Sequence, residues 1–526
     1  MTTQTKKGSL IFRVISHPSG LPSSAKRTAF LVKDNWDDWG KYQTQFFLVL
    51  FDSLGKRHEP GAVKIAQRPK VEKVEKGYWR TVLPDQFTEL DSTYFSLGQD
   101  ESYYWTLMAM NDDRLKDQVL GCLRDLVVDQ QLWRTVRNDS IVRESLLRYV
   151  KPRTVEKQFR RIVSGGERLT PYNLIYTGPP PIPSTLSFNV RPNEEPPTNV
   201  HVLIGPNGVG KTFLLQQMTK ALLHRKHRRY GTFITKNEEN GSAISNVVSV
   251  SFSAFDHFVS VQERKPTKSD VFDYLRYSYV GLKRASGAPS NARGNPKTAG
   301  MLATEFVNSL WACINEPRLS RWRQAITGLE TDVIFKSANV SSLVQYRRKE
   351  QLLKKLARRL FRSLSAGHKL VLLTTTRLVE LVDEQTLVLF DEPEAHLHPP
   401  LLSAFLRVIS ELLINRNGIA IMATHSPVVL QEVPKTCVWV LRRAGHDVRT
   451  ERPEFETFGE NVGVITREVF GLEVTNSGFY GMLRDVVEPD SSVDSAYHHF
   501  SGQLGGEARA ILHGLFVNRD RENNSH

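Results

Sequence analysis

The chain has 526 residues and a formal net charge of +14, from 70 Lys plus Arg against 56 Asp plus Glu. That length suggests about three domains with ample core, and the basic excess favours an acidic partner such as nucleic acid, although many basic proteins bind only a nucleotide. Cys122, Cys313 and Cys437 stand far apart without C-x-x-C spacing, which supports neither a disulfide framework nor a zinc site.

The opening MTTQTKKGSL has no apolar segment, and nowhere do about 18 apolar residues run together, so a soluble, cytoplasmic protein without a membrane partner is expected. Residues 8 to 66 read as a small sheet: SLIFRVIS, TAFLVKD, TQFFLVLFD and GAVKIAQ are rich in β-branched and aromatic residues and are broken by HPSG and SLGKRHEPG. From about 86 the period becomes helical, with Leu115, Val119, Cys122, Leu123 and Leu126 near one face. Tyr103, Tyr104 and Trp105 read as core packing rather than a binding surface. Gly and Pro concentrate between 164 and 198, which puts a domain boundary near 165. In this region Tyr172, Tyr176 and Phe188 are candidates to stack on adenine, with simple strand packing equally open.

The run HVLIGPNGVGKT is the most informative stretch. Val200, Val202, Leu203 and Ile204 form an apolar strand pattern that leads into Gly205, Pro206, Asn207, Gly208, Val209, Gly210, Lys211 and Thr212, the G-x-x-x-x-G-K-[ST] phosphate loop. The glycines let backbone N–H groups face a phosphate without an intervening side chain. Lys211 brings a positive charge to the terminal phosphates, and the Thr212 hydroxyl can ligate Mg²⁺. Leu214, Leu215, Met218 and Leu222 then share one helical face, so a helix N-terminus points at the anion. NVVSVSFSAFD predicts a strand over 246–256, and the polar, weakly periodic stretch 257–345 predicts an insertion, part helical. YRRKEQLLKKLARRLFRS predicts an amphipathic helix with Leu352, Leu353, Leu356 and Leu360 on one side; its basic side is either solvated or a nucleic-acid groove.

TLVLFDE, from 386, is a continuous apolar run ending in two acids, as expected of a buried parallel strand delivering carboxylates to its carboxyl edge. Asp391 is the candidate Mg²⁺ ligand, and Glu392 the candidate group that polarises the attacking water. Leu364-Ser365-Ala366-Gly367 precedes a helix expected to run to about 385, and GIAIMATHSP ends a second apolar strand in His425.

The order phosphate loop, LSxG, hhhhDE and strand-end His resembles the ABC-type ATPase family. The resemblance implies ATP and Mg²⁺ as cofactors and a homodimer in which Ser365 and Gly367 of one protomer cap the γ-phosphate bound by the other. Ser365 is a hydroxyl donor, Gly367 permits close backbone approach, and the helix behind them adds a positive dipole end. His425, by the same resemblance, contacts the γ-phosphate. DEPEAHLHPPLL and ATHSPVVL, with TNSGFYGMLRDVVE and FSGQLGGEARAIL in the tail, are similar to AAA-type or overcoming-lysogenization-like ATPases, a branch near the SMC and DNA-repair ABC ATPases. Many bacterial members of that branch accompany phage-defence cassettes. The likeness is strong over roughly 200–225 and 360–430.

Several positions depart from the family pattern. SFSAFD stands where a Gln-bearing loop is expected, leaving Ser251, Ser253 or Asp256 as substitutes, and His368 takes the fifth signature position. His396 and His398, two apart in a turn without a third His or Cys, read as dimer contacts rather than metal ligands. No second catalytic constellation is present, and His498 and His499 read as surface or packing residues. No long heptad run supports an extended coiled coil.

The expected architecture is an α/β P-loop ABC-type ATPase core with an N-terminal β-rich plus helical module at 1–165, an ATPase domain at 166–470 carrying the helical insertion at about 257–345, and a helical tail at 471–526. The expected function is a dimeric ATPase that senses or gates in anti-phage defence with a separate nuclease or toxin as effector; the alternative is a repair or recombination ATPase that clamps nucleic acid directly.

Overall fold

The computed structural model describes residues 10–34, 41–68, 79–110, 112–179, 185–224, 227–236, 244, 246–252, 275–284, 296–314, 318–444, 447–470, 478–488 and 491–523. A six-stranded sheet forms first, in the spatial order Gln86–Phe87, Ile11–Ile15, Thr28–Lys33, Gln45–Phe51, Arg57–Gln67, Tyr94–Gly98. The strands expected within 8–66 are there. Helical structure, expected from about 86, starts only at Glu101, because Tyr94–Gly98 is buried along its whole length and pairs antiparallel with Arg57–Gln67. The tight join requires Gly98: a Cβ there would lie 2.3 Å from the Tyr103 ring. Asp100 caps the helix Glu101–Met108 by accepting from the Ser102 N–H. Tyr103 and Tyr104 are buried in this core, as expected, while Trp105 stays 42% exposed.

The second sheet positions the site. Its seven strands run Arg276–Gly281, Asn246–Ser251, Thr386–Asp391, Ile419–Thr424, Val200–Ile204, Val438–Ala444, Asp447–Glu451, parallel throughout except for the last antiparallel pair. Such a sheet is covered on both faces, which explains why Val200–Ile204, Thr386–Asp391 and Ile419–Thr424 are buried at every residue. Pairing of Ile204 with Thr424 and of Asp391 with Ala423 brings three strand ends to one edge. Ligands of open α/β sheets bind at that edge.

A three-stranded antiparallel sheet, Thr185–Val190, Tyr172–Thr177 and Thr232–Lys236, packs its inner residues onto the phosphate-loop helix. Tyr172, Tyr176 and Phe188 all lie in this core. Tyr172 donates its hydroxyl to Asn417 O and Tyr176 to Tyr230 O, so strand packing, not adenine stacking, accounts for these rings. The strand expected over 246–256 spans Asn246–Ser251; Ser253 and Asp256 lie outside the described residues.

Within 257–345, Arg276–Gly281 joins the central sheet, and the helices Ala299–Cys313, Arg318–Leu329 and Val333–Ala338 bury Phe306, Trp322 and Phe335 in the main core. Burying each such ring stabilises by about 1.5–3 kcal/mol. The basic helix begins at Glu350 rather than 346 and seats Leu353, Ala357 and Phe361, with Phe361 stacked on Phe306 at 5.0 Å and Leu352 exposed. The helix behind LSAG runs over Ala366–Leu381. In the tail, Leu483, Ala496, Leu512 and Phe516 from three helices form a small core of their own. No helix among the described residues is long and apolar enough to cross a membrane.

A buried ion network ties the first sheet's helices to the second. Arg416, 5% exposed, meets Glu101, lies 3.4 Å from Asp100 and reaches Asp383 at 4.0 Å, while Arg321 holds Asp100 at 3.0 Å and Lys151 holds Asp383 at 2.9 Å. Burial alone would raise the Asp383 carboxyl, but Lys151, Arg416 and Arg318 outweigh it and hold that carboxyl well below the usual carboxylate range. A depressed carboxylate stabilises the fold fully above its unfolded pKa of about 4 and loses that contribution as pH falls from there towards the folded value. Arg416→Ala takes from buried Glu101 its nearest cation and from Asp100 and Asp383 one of two, and the expected loss is about 3 kcal/mol. Urea unfolding at pH 7 measures it, and a loss within experimental scatter would mean the network contributes nothing net.

Candidate nucleotide site

The site starts at the end of the strand Val200–Ile204. Gly205 fits there only because it lacks a side chain: a Cβ would sit 2.3 Å from Leu441 O. Gly208 (φ +77°) and Gly210 (φ +102°) take left-handed conformations that glycine reaches without strain. Asn207 and Gly208 are exposed at the tip, and Val209 is buried beneath it. The helix Lys211–Leu223 opens at Gly210 with no side chain capping it. Its first N–H groups, with the positive end of the dipole, are arranged for an anion. The buried Lys211 Nζ donates to Gly205 O at 2.8 Å and to Pro206 O at 2.9 Å, which draws the cation across the loop. Leu214, Leu215, Met218 and Leu222 anchor the helix on the sheet.

At the neighbouring strand end, Thr212 Oγ1 donates to Asp391 Oδ1 at 3.0 Å. Two hard oxygen donors from separate elements thus converge where Mg²⁺ is held in P-loop sites, and the residues present fit that ion and a phosphate chain. Glu392 follows Asp391 with φ +49°, a left-handed conformation uncommon for a residue with a Cβ. Strain of this kind concentrates at functional positions. Its N–H donates to Ala423 O at 2.9 Å, which fixes the turn although the side chain stays partly exposed.

Glu394, which no motif in the sequence singles out, organises the rest of this edge. Its Oε1 accepts from Thr424 Oγ1 at 2.6 Å and from the His425 N–H at 2.9 Å, and lies 3.2 Å from His425 Nδ1. His425 Nδ1 stands 3.8 Å from Glu392 Oε1, so the strand-end histidine and the candidate water-orienting acid are neighbours. The signal in the sequence is the third acid of DEPE, whose partners emerge only when the strands are aligned.

Ser365 is exposed and caps the helix Ala366–Leu381. Gly367 makes a close approach within its own chain. It is buried, and a Cβ there would lie 2.5 Å from His396 O, so the close approach that its bareness permits is made within the chain. Ser251 ends its strand in register with Asp391. His368, buried, contacts Ser365 Oγ through Nδ1 at 2.7 Å and Asp332 Oδ1 through Nε2 at 3.1 Å. His396 is exposed and takes φ +68°, while His398 caps the helix Pro399–Asn415 by accepting from the Leu401 N–H.

Residues 317–431 match the family described as "AAA domain, putative AbiEii toxin, Type IV TA system". That segment carries LSAG, both acids and His425. Among solved structures, a putative metal-chelate type ABC transporter in an inward-facing conformation overlaps 54% of this chain and 84% of its own at 16% identity, TM-score 0.26. A nucleotide-free ATP-binding cassette of an ABC transporter overlaps 53% and 91% at 16% identity, TM-score 0.27. Those overlaps are too loose to speak to function. Protein ea59 of Escherichia phage lambda is 38% identical over 537 residues, spanning 97% of this chain and 99% of the relative. With a P-loop α/β core and that full-length identity, the chain belongs to the family of the phage lambda ea59 protein.

Proposed function

We propose that this protein is an ATP-hydrolysing switch whose catalytic site is completed by a second copy of the chain. The observation that carries the reading is the hydrogen bond from Thr212 Oγ1 to Asp391 Oδ1 beside an uncapped helix N-terminus. Lys211 and the N–H groups of Gly208, Val209 and Gly210 bind the phosphates, while Pro206 and Asn207 shape the loop. Thr212 and Asp391 hold Mg²⁺, which when bound neutralises charge on the phosphate oxygens. Glu392 orients the attacking water and accepts its proton, and His425, steadied by Glu394, donates to the γ-phosphate. Ser365 reaches the nucleotide from the partner copy, because its hydroxyl is exposed at a helix N-terminus. Gly367 lets the signature helix pack on the loop after Glu392, so the serine of one protomer and the acid of the same protomer move together.

In this reading the chain divides into a module at 1–165, the ATPase domain at 166–470 and a helical tail at 471–526. Its biological output is control of a separate effector in conflict between phage and host. Support comes from the family description, which names a putative toxin, and from the phage-encoded relative. The relative's source fits either side of that conflict, so the effector, a nuclease or toxin, is part of the proposal. A nucleic-acid clamp is the second reading. It has one observation in its favour: Lys354, Lys355, Arg358, Arg359 and Arg362 line an open groove of about 770 Å³.

Mixing inactive variants tests the shared site. Lys211→Ala and Ser365→Arg are each expected to lack turnover. Their mixture forms heterodimers with one intact site, and recovers about a quarter of wild-type phosphate release when subunits exchange at random. A mixture as inactive as its components, or a fully active Ser365→Arg protein, would place both halves of the site in one chain.

A further inference from the structure

Sequence spacing argues against a metal at His396 and His398 because a third donor is missing. The fold supplies it, though not for both histidines. His398, His368 and Asp332 come from three separate segments: the turn after the Glu392 loop, the first turn of the signature helix, and the cap of the helix Val333–Ala338. One donor atom from each lies within 4.8 Å of the others. His368 Nε2 is 3.1 Å from Asp332 Oδ1, and His398 Nε2 is 4.0 Å from Asp332 Oδ2. Donors sharing a tetrahedral zinc ion, with bonds of about 2.0–2.2 Å, lie roughly 3.3 Å apart, so only small side-chain shifts separate this arrangement from a metal site. His396 is not part of the group.

We propose that Asp332, His368 and His398 bind a divalent transition-metal ion of the zinc class. Two imidazoles and one carboxylate favour such an ion over Mg²⁺ or Ca²⁺, which prefer oxygen donors throughout. His368 and Asp332 are largely buried, with side chains 4% and 11% exposed, and fix two donors; His398 is half-exposed and closes the site from the solvent side. With three protein donors, the fourth ligand would be water from the side that half-exposed His398 faces.

The supporting groups suit a metal in one respect and oppose it in another. Asp332 Oδ1 accepts from the N–H groups of Ile334 and Phe335, which holds the carboxylate in place and leaves Oδ2 turned towards His398. Against that, His398 Nδ1 accepts from the Leu401 N–H at 3.2 Å. With a metal on Nε2 the neutral ring carries its proton on Nδ1, so this cap is given up.

The same tautomer rule links the ion to Ser365, a consequence that rests on the proposed role of that serine whereas the metal site itself does not. In the neutral ring, the Asp332 carboxylate takes the proton on His368 Nε2, so Nδ1 accepts the Ser365 hydroxyl proton. A metal on Nε2 moves the ring proton to Nδ1, which then donates to Ser365 Oγ. The serine O–H is thereby turned outward, available to a phosphate oxygen on the partner copy.

The test uses full-length, tag-free protein stripped with chelator and titrated with Co²⁺, followed by Zn²⁺ displacement. One equivalent of Co²⁺ is expected to give the visible absorption of a four-coordinate site, lost on adding Zn²⁺. His398→Asn and Asp332→Asn remove a donor while retaining a side chain that can cap the helix, so both are expected to fold, as circular dichroism checks, and to lose the band. His396→Ala is expected to keep it. Absence of the band in the wild type, its persistence in both Asn variants, or its loss in His396→Ala would each overturn the site. None of these readouts depends on ATP turnover.

Discussion

Lys211→Ala is expected to weaken ATP binding by about 100-fold or more, since hydrogen bonds to charged groups contribute about 1.5–3 kcal/mol each and an ammonium on the terminal phosphates makes more than one. The loss should fall more on affinity than on folding. Lys211 Nζ donates to two loop carbonyls, Gly205 O and Pro206 O. Removing it gives up two charge-assisted hydrogen bonds, each worth at most about 1.5–3 kcal/mol, and in return relieves the desolvation that a buried ammonium suffers. The loop's shape comes from Gly205 against Leu441 O and from the positive φ of Gly208 and Gly210, none of which depends on the lysine. Arg at 211 is no rescue, since a planar fork cannot replace a compact ammonium folded across this loop. Titration with a fluorescent ATP analogue, beside a urea unfolding curve, separates the two effects. Wild-type affinity in Lys211→Ala would remove the phosphate-loop assignment, and with it the functional reading.

The parts of the fold that could be read from sequence are those in which local pattern and burial agree. Val200–Ile204 is apolar but for His201 because a parallel strand covered on both faces is buried at each residue, and the helix behind it keeps Leu214, Leu215, Met218 and Leu222 at helical spacing for the same core. Tyr94–Gly98 escaped because a short buried strand looks like part of the helical run beside it; only pairing with Arg57–Gln67 distinguishes them. The polar composition of 257–345 likewise concealed an edge strand of the central sheet, since Arg276–Gly281 contributes by hydrogen bonding to Asn246–Ser251. Long-range polar contacts were the least legible. Glu394 beside Thr424, and Asp332 beside His368, are 30 and 36 residues apart, and no spacing rule relates them. Gly367 shows the converse: its identity could be read, but the neighbour that requires it, His396 O, came only from the fold.

Glu392→Gln should retain ATP binding and lose turnover by roughly 100-fold or more, the range in which a positioned general base acts. The substitution suits the site for a backbone reason. Glu392 holds φ +49°, and Gln branches at the same atoms, so the exchange removes the charge without altering the strain already present. Ala would also shorten the side chain, and Gly would relax the turn, so either would mix geometry with chemistry. The Glu392 N–H to Ala423 O bond and the Glu394 bonds to Thr424 and His425 involve no atom that the exchange touches, and the edge should remain assembled. With chemistry blocked and both phosphate clamps intact, the nucleotide-bound dimer should accumulate, visible as a doubling of mass by light scattering with ATP and Mg²⁺. Normal phosphate release from the variant would pass the water-orienting role to another group, with Glu394 the next carboxylate on this edge. Material that co-purifies with the trapped dimer decides between the two outputs proposed here. A stoichiometric nuclease or toxin supports control of an effector. Nucleic acid that is released by salt, without such a protein, supports the clamp, because phosphate contacts made by Arg358, Arg359 and Arg362 would weaken as counterions compete.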